Sequence, residues 1–246
     1  MLPIFAKIKQ VQKKEGIPEF LEGKLLLIDK PLKWTSFDVV KKVRILTQVS
    51  KVGHAGTLDP LATGLLIICT GALTKKINDY MAQEKEYTGS FTLGATTPTY
   101  DLESQPVNFR NYDHVTADML RAATQKFVGE IKQVPHIHSA IKKDGKPAYK
   151  LARQGREVVM EPRTILISEF EITEMNLPIV KFRVVCSTGT YIRSLAYDFG
   201  EELGCGAYLS GLRRTRIGEY KVENALSIEQ FQEMVLRMKE QMAQNG

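Results

Sequence analysis

Apolar residues recur with both strand-like and helix-like periods along the 246-residue chain. Residues 24–29 and 65–70 are short, almost continuous apolar runs, which are typical of buried strands. Residues 86–93 alternate strictly, so that one face of a half-buried strand carries Tyr87, Gly89, Phe91 and Leu93. Residues 37–46 instead repeat at helical spacing behind Ser36, which we predict to be the N-cap of a helix.

The remaining patterns predict a mixed architecture. Helices are predicted over residues 72–82, after Thr116, from Tyr191 to Leu203, and after Ser227, where Gln230 stands in the capping-box position. Strands are predicted over residues 164–173, 180–187 and 207–221, whereas residues 50–64 and 95–113 have loop composition. This irregular order favours an α+β fold, with a mixed, largely antiparallel central sheet flanked by helices. We expect a polar extension at residues 1–22 and one domain over residues 23–246, with an inserted basic lobe at about 129–163.

The composition excludes several classes of protein. Hydrophobic residues make up 43% of the chain, yet no apolar run approaches the ~18–20 residues of a membrane helix. The N-terminus has no apolar segment typical of a secretory signal, so we expect a cytoplasmic protein without a membrane partner. Cys69, Cys186 and Cys205 form no C-x-x-C pair, and we interpret them as small buried hydrophobic residues. The common nucleotide-binding and zinc-protease motifs are missing, and we expect no cofactor and no metal.

Positive charge is concentrated in three segments. The chain has 34 Lys and Arg against 28 Asp and Glu, a formal net charge of +6. Residues 24–51 carry seven basic and two acidic side chains, and residues 124–164 carry nine and four. The third segment contains Arg213, Arg214, Arg216 and Lys221. These segments either meet on one surface that follows nucleic-acid phosphates or remain three separate solvated faces.

Residues 53–64, GHAGTLDPLATG, form the segment with the clearest chemical character. Its glycines permit close backbone approach, and Pro60 stiffens the turn after Asp59. A rigid loop that presents the Asp59 carboxylate near the His54 imidazole is a plausible catalytic platform. The alternative is structural, because an Asp-Pro pair also closes an ordinary Asx turn.

This segment resembles the signature of the TruB family of tRNA pseudouridine synthases. The resemblance extends to residues 25–40, 85–87, 183–200 and 204–218, and residues 133–158 resemble the family's RNA-gripping insertion. Similar motifs therefore cover about residues 23–228 in the family's order. The resemblance implies the pseudouridine synthase fold with an RNA-binding lobe. It also implies isomerisation of the uridine at position 55 in the T-loop of tRNA, after that nucleotide flips out of the T-arm.

The resemblance also assigns roles to individual residues. Asp59 matches the family's nucleophile, and Arg193 matches the arginine that pairs with it and orients it. Tyr87 matches the tyrosine that stacks on the target base and is a candidate to deprotonate C5. Tyr191 and Leu212 match positions that contact the flipped base. His54 matches a residue that contacts the disrupted T-loop, and the candidates for gripping the T-stem are Lys142, Lys143, Lys146, Lys150 and Arg153.

Two alternative functions stay open at this point. One is a pseudouridine synthase for another RNA, and the other is an RNA-binding folding factor whose role does not depend on catalysis. Because the chain ends after one helix beyond residue 227, we expect no C-terminal RNA-binding domain of the PUA type. The sequence shows no signal for dimerisation, and we expect a monomer.

Overall fold

The computed structural model describes residues 16–137 and 159–244, together with the backbone of residues 142–143 and 146–147. The helices are α1 (Pro18–Glu22), α2 (Ser36–Thr47), α3 (Ile77–Ala82), α4 (Ala117–Phe127), α5 (Ile192–Glu202) and α6 (Ile228–Gln244), and 3₁₀ helices span Gly71–Lys76 and Val222–Asn224. The strands are β1 (Leu25–Lys30), β2 (Val52–Ala55), β3 (Ala62–Thr70), β4 (Lys85–Leu93), β5 (Gly129–Gln133), β6 (Lys142–Lys143), β7 (Lys146–Pro147), β8 (Arg163–Asn176), β9 (Ile179–Cys186), β10 (Ala207–Ile217) and β11 (Tyr220–Lys221).

One large sheet organises the described residues. Its strand order is β1-β3-β10-β4-β9-β8-β5, with β2 added to β3 and β11 added to β10. The β3–β10 pair is parallel, and the other pairings in this sheet are antiparallel. The predicted α+β fold with a mixed, largely antiparallel sheet is therefore confirmed.

Helices cover the sheet differently at its two ends. Helices α4 and α5 pack on the face of the β4–β9 region that carries Phe91, where the rings of Phe91 and Phe182 stack with centroids 4.1 Å apart. Around β1 and β3, α2 and α6 cover one face, while α3 and β11 cover the other. Burial on both faces explains why residues 24–29 and 65–70 are continuous apolar runs rather than alternating ones. Cys69, Cys186 and Cys205 are free and buried, as interpreted from the sequence.

Helix α2 begins differently from the prediction. Thr35, rather than Ser36, is the N-cap, and its side chain forms a reciprocal capping box with Asp38. Such a cap stabilises a helix by about 1 kcal/mol. Ser36 is buried instead, and its Oγ accepts a hydrogen bond from the Leu58 amide at 2.9 Å. Phe37, the first apolar residue of the predicted helical repeat, is 60% exposed, because the inward face of α2 carries Val39, Val40 and Val43.

Two further predictions need correction. Residues 50–64 are not loop throughout, because Val52–Ala55 forms β2 against the second half of β3. Within the predicted polar extension, residues 16–22 pack on the core: Phe20 of α1 is fully buried, and its ring lies edge-on to Phe231 of α6. The adjacent apolar residues Phe20 and Leu21 stand alone in a basic, polar stretch. Two residues are too few to show the periodicity that predicts a packed helix. Residues 1–15 lie outside the described residues.

The start of the predicted basic lobe belongs to the main sheet. Residues 129–133 form β5, which pairs with the first residues of β8. Beyond it, β6 and β7 pair antiparallel with each other, with Lys143 opposite Lys146. Lys150 and Arg153, both predicted to grip RNA, lie outside the described residues.

Candidate active site

The segment between β2 and β3 is braced by neighbouring chain, which gives the Asp59 turn a fixed position. The Ala62 amide donates to the Asp59 carbonyl at 3.0 Å, and the Lys33 amide donates to the Pro60 carbonyl at 2.8 Å. Lys30 is fully buried, and its Nζ donates to the carbonyl of Trp34 at 2.6 Å. Burial lowers the pKa of Lys30 to about 8, while the nearby Asp59 carboxylate opposes that shift.

The Arg214 side chain contacts the chain on both sides of the Asp59 turn. Only 1% exposed, it donates from Nε to the Leu65 carbonyl at 2.8 Å and from Nη2 to the Gly56 carbonyl at 3.1 Å. Gly64, with φ +102°, pairs with Arg214 in the parallel β3–β10 ladder. A Cβ at position 64 would lie 2.3 Å from the Arg214 carbonyl oxygen, so this crossing point requires glycine.

Asp59 forms an ion pair with Arg193, which is brought from 134 residues away in sequence. The Arg193 Nε lies 3.1 Å from Oδ2 of Asp59, and its Nη1 lies 3.5 Å from Oδ2 of Asp101. The Arg193 and Asp101 side chains are 6% and 5% exposed, whereas Asp59 is 39% exposed. The guanidinium is therefore held between two carboxylates, of which Asp59 alone opens to solvent.

The surroundings of Asp59 move the pKa of its carboxyl away from the ordinary value. Burial raises the pKa of Asp59 above its ordinary value, and the negative charge of Asp101 raises it further. Arg193 opposes this effect most strongly, with a smaller contribution from Lys30. The ion pair therefore favours the charged carboxylate, the form that acts as a nucleophile.

Asp59 borders a cavity of about 290 Å³ that five of the sequence-predicted residues share. Its lining includes Asp59, Tyr87, Tyr191, Arg193 and Leu212. These side chains come from the turn between β2 and β3, from β4, from β10 and from the start of α5. The sequence motifs therefore converge on one concave site with an apolar wall and a charged floor.

Tyr87 and Leu212 supply apolar surface to the cavity from neighbouring strands. Tyr87 lies on β4 and is 8% exposed, and burial raises the pKa of its hydroxyl above the ordinary value. Leu212 lies on β10, in register with Gly89 of β4 and Ala62 of β3. A Cβ at Gly89 would lie 2.2 Å from the Gly211 carbonyl oxygen, so β4 and β10 approach too closely here for any residue but glycine.

Arg193 is positioned by the N-terminus of α5. Tyr191 is the N-cap residue, and the buried Gln133 of β5 accepts from its amide at 2.8 Å and donates to its carbonyl at 3.1 Å. The predicted helix start is confirmed. Arg193 is buried because the first turn of α5 faces the Asp59 turn.

Asp101 and Gln133 contact Arg193 and Tyr191 of the candidate site and were not predicted from the sequence. Asp101 lies in the long polar segment between β4 and α4, which has no periodicity, and Gln133 ends a short strand. Gln133 is a polar residue at an inward position of a strand, and this pattern could have indicated a role in holding the site. Asp101 had no comparable signal.

His54 lies on β2, ahead of the Asp59 turn, and does not line this cavity among the described residues. Burial, and to a smaller degree Arg214, lowers the pKa of His54 below its ordinary value. Its Nδ1 is buried and has no hydrogen-bond partner among the described residues. The neutral imidazole is therefore favoured near neutral pH.

The third basic segment is partly neutralised within the protein, since two of its arginines pair with carboxylates while Lys221 is exposed. Arg213 pairs with Asp29 at 2.6 Å, and Arg216 pairs with Glu84 at 2.9 Å. Arg214 is buried beneath the segment that carries Asp59. Strand β10 runs through the middle of the sheet, where Arg213 reaches Asp29 of β1 across β3 and Arg216 reaches Glu84 just before β4.

Lys142, Lys143 and Lys146 lie on the paired strands β6 and β7. In the described part of the chain, no group of three or more His, Cys, Asp or Glu side chains is placed to hold a metal ion. No helix within the described ranges combines the length and apolar character needed to cross a membrane.

Known structures define the class of protein. The chain superposes on one in a Cbf5–Nop10–Gar1 complex with a TM-score of 0.73 and 29% identity, covering 93% of this chain and 59% of that one. A chain of an H/ACA RNP bound to a substrate RNA containing 2′-deoxyuridine gives a TM-score of 0.69 at 27% identity, covering 91% of this chain and 56% of that one. This chain thus spans a little over half of those chains, and its fold is that of the pseudouridine synthases.

Sequence comparison is more specific. Residues 44–192 match the TruB family pseudouridylate synthase N-terminal domain, and residues 193–245 match the tRNA pseudouridylate synthase B C-terminal domain. Proteins named tRNA pseudouridine synthase B are 54% identical in Flavobacterium johnsoniae and 51% in Phocaeicola vulgatus. Each match covers 87% of this chain, with 97% and 94% of the relatives covered. The chain belongs to the TruB family of pseudouridylate synthases.

Proposed function

We propose that this enzyme converts uridine to pseudouridine at position 55 in the T-loop of tRNA, with Asp59 as the nucleophile. The observation that carries the proposal is the Asp59–Arg193 ion pair at the open edge of a cavity that Tyr87 and Leu212 also line. The names of the relatives in Flavobacterium johnsoniae and Phocaeicola vulgatus support tRNA as the substrate.

The proposed chemistry exchanges one bond to the ribose for another. The ionised Asp59 attacks the target nucleotide, and the C1′–N1 bond breaks as its electron pair leaves with the uracil. The uracil turns within the cavity and forms a C1′–C5 bond as the bond to Asp59 breaks and frees the carboxylate, after which C5 loses its proton and N1 gains one. Tyr87 lines the same cavity and is our candidate base for the C5 proton. It would accept that proton as a phenolate, a form that burial disfavours by raising its pKa and that the charge of Arg214 favours. Atoms and charge balance without an added reactant.

The cavity suits an extruded base rather than a base within a stacked loop. Flipping a nucleotide out of RNA costs a few kcal/mol, which stacking and backbone contacts offset. Tyr87 would stack on the uracil, Leu212 would exclude water from it, and Tyr191 would contact its edge. Arg193 keeps Asp59 charged and oriented throughout. A preorganised ion pair of this kind spends no energy on reorientation during the reaction.

Several finer parts of the proposal concern the RNA outside the cavity. We assign His54 to the disrupted T-loop beside the extruded base. The predicted lobe would grip the T-stem through Lys142, Lys143, Lys146, Lys150 and Arg153. The enzyme would act as a monomer in the cytoplasm, with a catalytic domain over residues 23–246.

The test uses an unmodified T-arm stem-loop RNA labelled with tritium at uracil C5. Isomerisation releases this label to water. We expect release by the wild type and none by Asp59→Asn, with both proteins binding the RNA. Binding without release by either protein would overturn the proposal and favour another RNA target or a folding factor.

A further inference from the structure

Lys85 is a buried cation in the candidate site to which the proposed chemistry gives no role. It begins β4 two residues before Tyr87, so both side chains lie on the inward face of that strand. Its neighbours in register are Cys186 of β9 and Ile217 of β10, both buried. Lys85 is itself 6% exposed, yet it lines the cavity of about 290 Å³. Because burial among apolar neighbours disfavours a charge, packing alone does not explain a lysine at this position.

The amine of Lys85 is held at the wall of the cavity by the end of α3. Its Nζ donates to the Met81 carbonyl, and to the Gln83 carbonyl at 2.5 Å. Met81 also lines the cavity. An ammonium group has three donors, so these two bonds leave one N–H. Over the described residues, this amine forms no ion pair with a carboxylate. Its charge and its third donor are therefore available to a group inside the cavity.

The side chains that line the cavity carry an excess of positive charge. Lys85, Arg193 and Arg214 are the cations of the lining, and Asp59 is its acid. Arg193 lies between two carboxylates, and Arg214 donates to backbone carbonyls on both sides of the Asp59 turn. Lys85 thus adds a positive charge that neither an acid nor the bracing of the Asp59 segment explains.

The proposed reaction creates an anion in this cavity. The uracil carries a negative charge, shared among N1, O2 and O4, from the breaking of the C1′–N1 bond until the C1′–C5 bond forms. A fixed cation at the place where charge develops lowers the barrier, most of all where water is excluded. The bases of uridine and pseudouridine are neutral. A cation beside the uracil therefore stabilises the transition state more than the bound substrate, and it acts on kcat.

We propose that Lys85 is a further catalytic residue, which stabilises the departing uracil anion by donating a hydrogen bond from Nζ to one of its carbonyl oxygens. This inference rests on the proposed function for the reaction itself. Lys85 transfers no proton, and its ammonium is the same before and after the reaction. The electron pair that leaves with N1 returns to C1′ through C5, so the negative charge on the uracil is transient.

The ionisation of Lys85 agrees with this role. Burial lowers the pKa of Lys85 to about 8, with a smaller lowering by Arg214 of β10 and an opposing effect of Cys186 of β9. Burial raises the pKa of Cys186 to about 12, so that thiol is neutral. The adjacent Glu84 pairs with Arg216, and the end of α3 contributes backbone carbonyls. Lys85 is therefore mostly charged at neutral pH and loses its charge as the pH rises through about 8.

The first test compares three substitutions of Lys85. Lys85→Met removes the charge among apolar neighbours, Lys85→Gln keeps a donor for the α3 carbonyls without charge, and Lys85→Arg keeps the charge. Tritium release at saturating T-arm RNA and the Kd for that RNA are measured for each. We expect kcat to fall by about 100-fold in Lys85→Met and Lys85→Gln, with Kd unchanged. Lys85→Arg should retain most of the wild-type rate.

The pH profile separates a catalytic charge from a structural one. In the wild type, kcat/KM should fall as the pH rises through about 8, because the ammonium of Lys85 is lost. A guanidinium stays charged throughout this range, so the fall should move to higher pH in Lys85→Arg. The pKa of Lys30 is also lowered by burial to about 8. A fall at the same pH in Lys85→Arg would assign it to another group and overturn the inference.

A better leaving group provides the second test. Fluorine at C5 withdraws electrons and stabilises the uracil anion, so 5-fluorouridine should depend less on a cation. Because that RNA releases no tritium, loss of the starting nucleoside is followed for RNA with uridine or 5-fluorouridine at the target position. The ratio of the 5-fluorouridine rate to the uridine rate should be higher in Lys85→Met than in the wild type. The control, Met81→Ala, alters the same wall without removing a charge and should keep the wild-type ratio.

The outcomes distinguish the two proposals. Equal tritium release by Lys85→Met and the wild type would overturn the role of Lys85 and leave the proposed function intact. Equal slowing of both RNAs in Lys85→Met would show that Lys85 only shapes the wall, and would also overturn it. Urea unfolding checks that Lys85→Met is folded, and the pH profile of Lys85→Arg decides the question if it is not. If the wild type acts on neither RNA, the proposed function fails and the role of Lys85 fails with it.

Discussion

Three charged residues define the chemistry of the site at the residue scale. Arg193 lies between Asp59 and Asp101, with one carboxylate open to the cavity and the other buried. The motifs quoted for the family resemblance contain Asp59 and Arg193, so both could be predicted from the sequence. Asp101 could not, because its role arises only when the fold places a non-periodic loop beside α5.

Arg193→Lys tests whether the shape of the guanidinium matters as well as its charge. A lysine amine is a point donor and cannot contact both carboxylates as the planar fork does. We expect kcat to fall by about 100-fold or more, with the Kd for RNA unchanged. Tritium release and RNA binding measured on the same preparation separate the two effects. Wild-type kcat in this variant would show that a single positive charge is sufficient.

Asp101→Asn tests the electrostatic role of the second carboxylate. The negative charge of Asp101 raises the pKa of Asp59, so removing that charge lowers the pKa. Since the ionised carboxylate is the active form, kcat/KM falls as pH drops through this pKa. The acid limb of the pH profile should therefore move to lower pH in Asp101→Asn. A limb that moves to higher pH would contradict this account.

At the scale of elements, strands were easier to predict than the segments that hold the site. The strict alternation of residues 86–93 correctly placed Tyr87 on the inward face of β4. Strand β2 was hidden because its four residues lie among glycines and threonines, where no period can develop. The start of α2 was placed one residue late, although Thr35 with Asp38 three residues later is itself a capping signal.

The crossing of β3 and β10 gives a direct test of how the Asp59 segment is held. Gly64 and Gly129 have almost equal φ values, +102° and +103°, but a Cβ at Gly129 would meet nothing within 4 Å. Gly129→Ala should therefore cost only the conformational strain, about 1–2 kcal/mol of unfolding free energy. Gly64→Ala also drives a Cβ into the Arg214 carbonyl and should cost a further ~1–3 kcal/mol.

Urea unfolding of both glycine variants measures these losses of unfolding free energy. Tritium release shows whether a displaced backbone at position 64 also disturbs Asp59. We expect Gly129→Ala to retain activity and Gly64→Ala to lose most of it. Equal stability of the two variants would show that the β3–β10 crossing absorbs a side chain without consequence.

At the scale of the whole molecule, the site exists because distant segments converge. The parallel pairing of β3 with β10 places Leu212 beside the Asp59 turn, and α5 returns Arg193 to the same point. Periodicity predicts single elements, but it does not predict which strands become neighbours across 150 residues. The same limit applies to charge, because Arg213 and Arg216 of the third basic segment pair with acids within the sheet, whereas Lys41 and Lys51 of the first segment stay exposed.

The central claim is that Asp59, held by Arg193, isomerises one uridine of tRNA. The most direct measurement incubates an unmodified full-length tRNA transcript with the wild type or with Asp59→Asn and maps pseudouridine at single-nucleotide resolution. The account predicts one new pseudouridine, at position 55, with the wild type and none with Asp59→Asn. Pseudouridine at a different position, or at position 55 with Asp59→Asn, would contradict it.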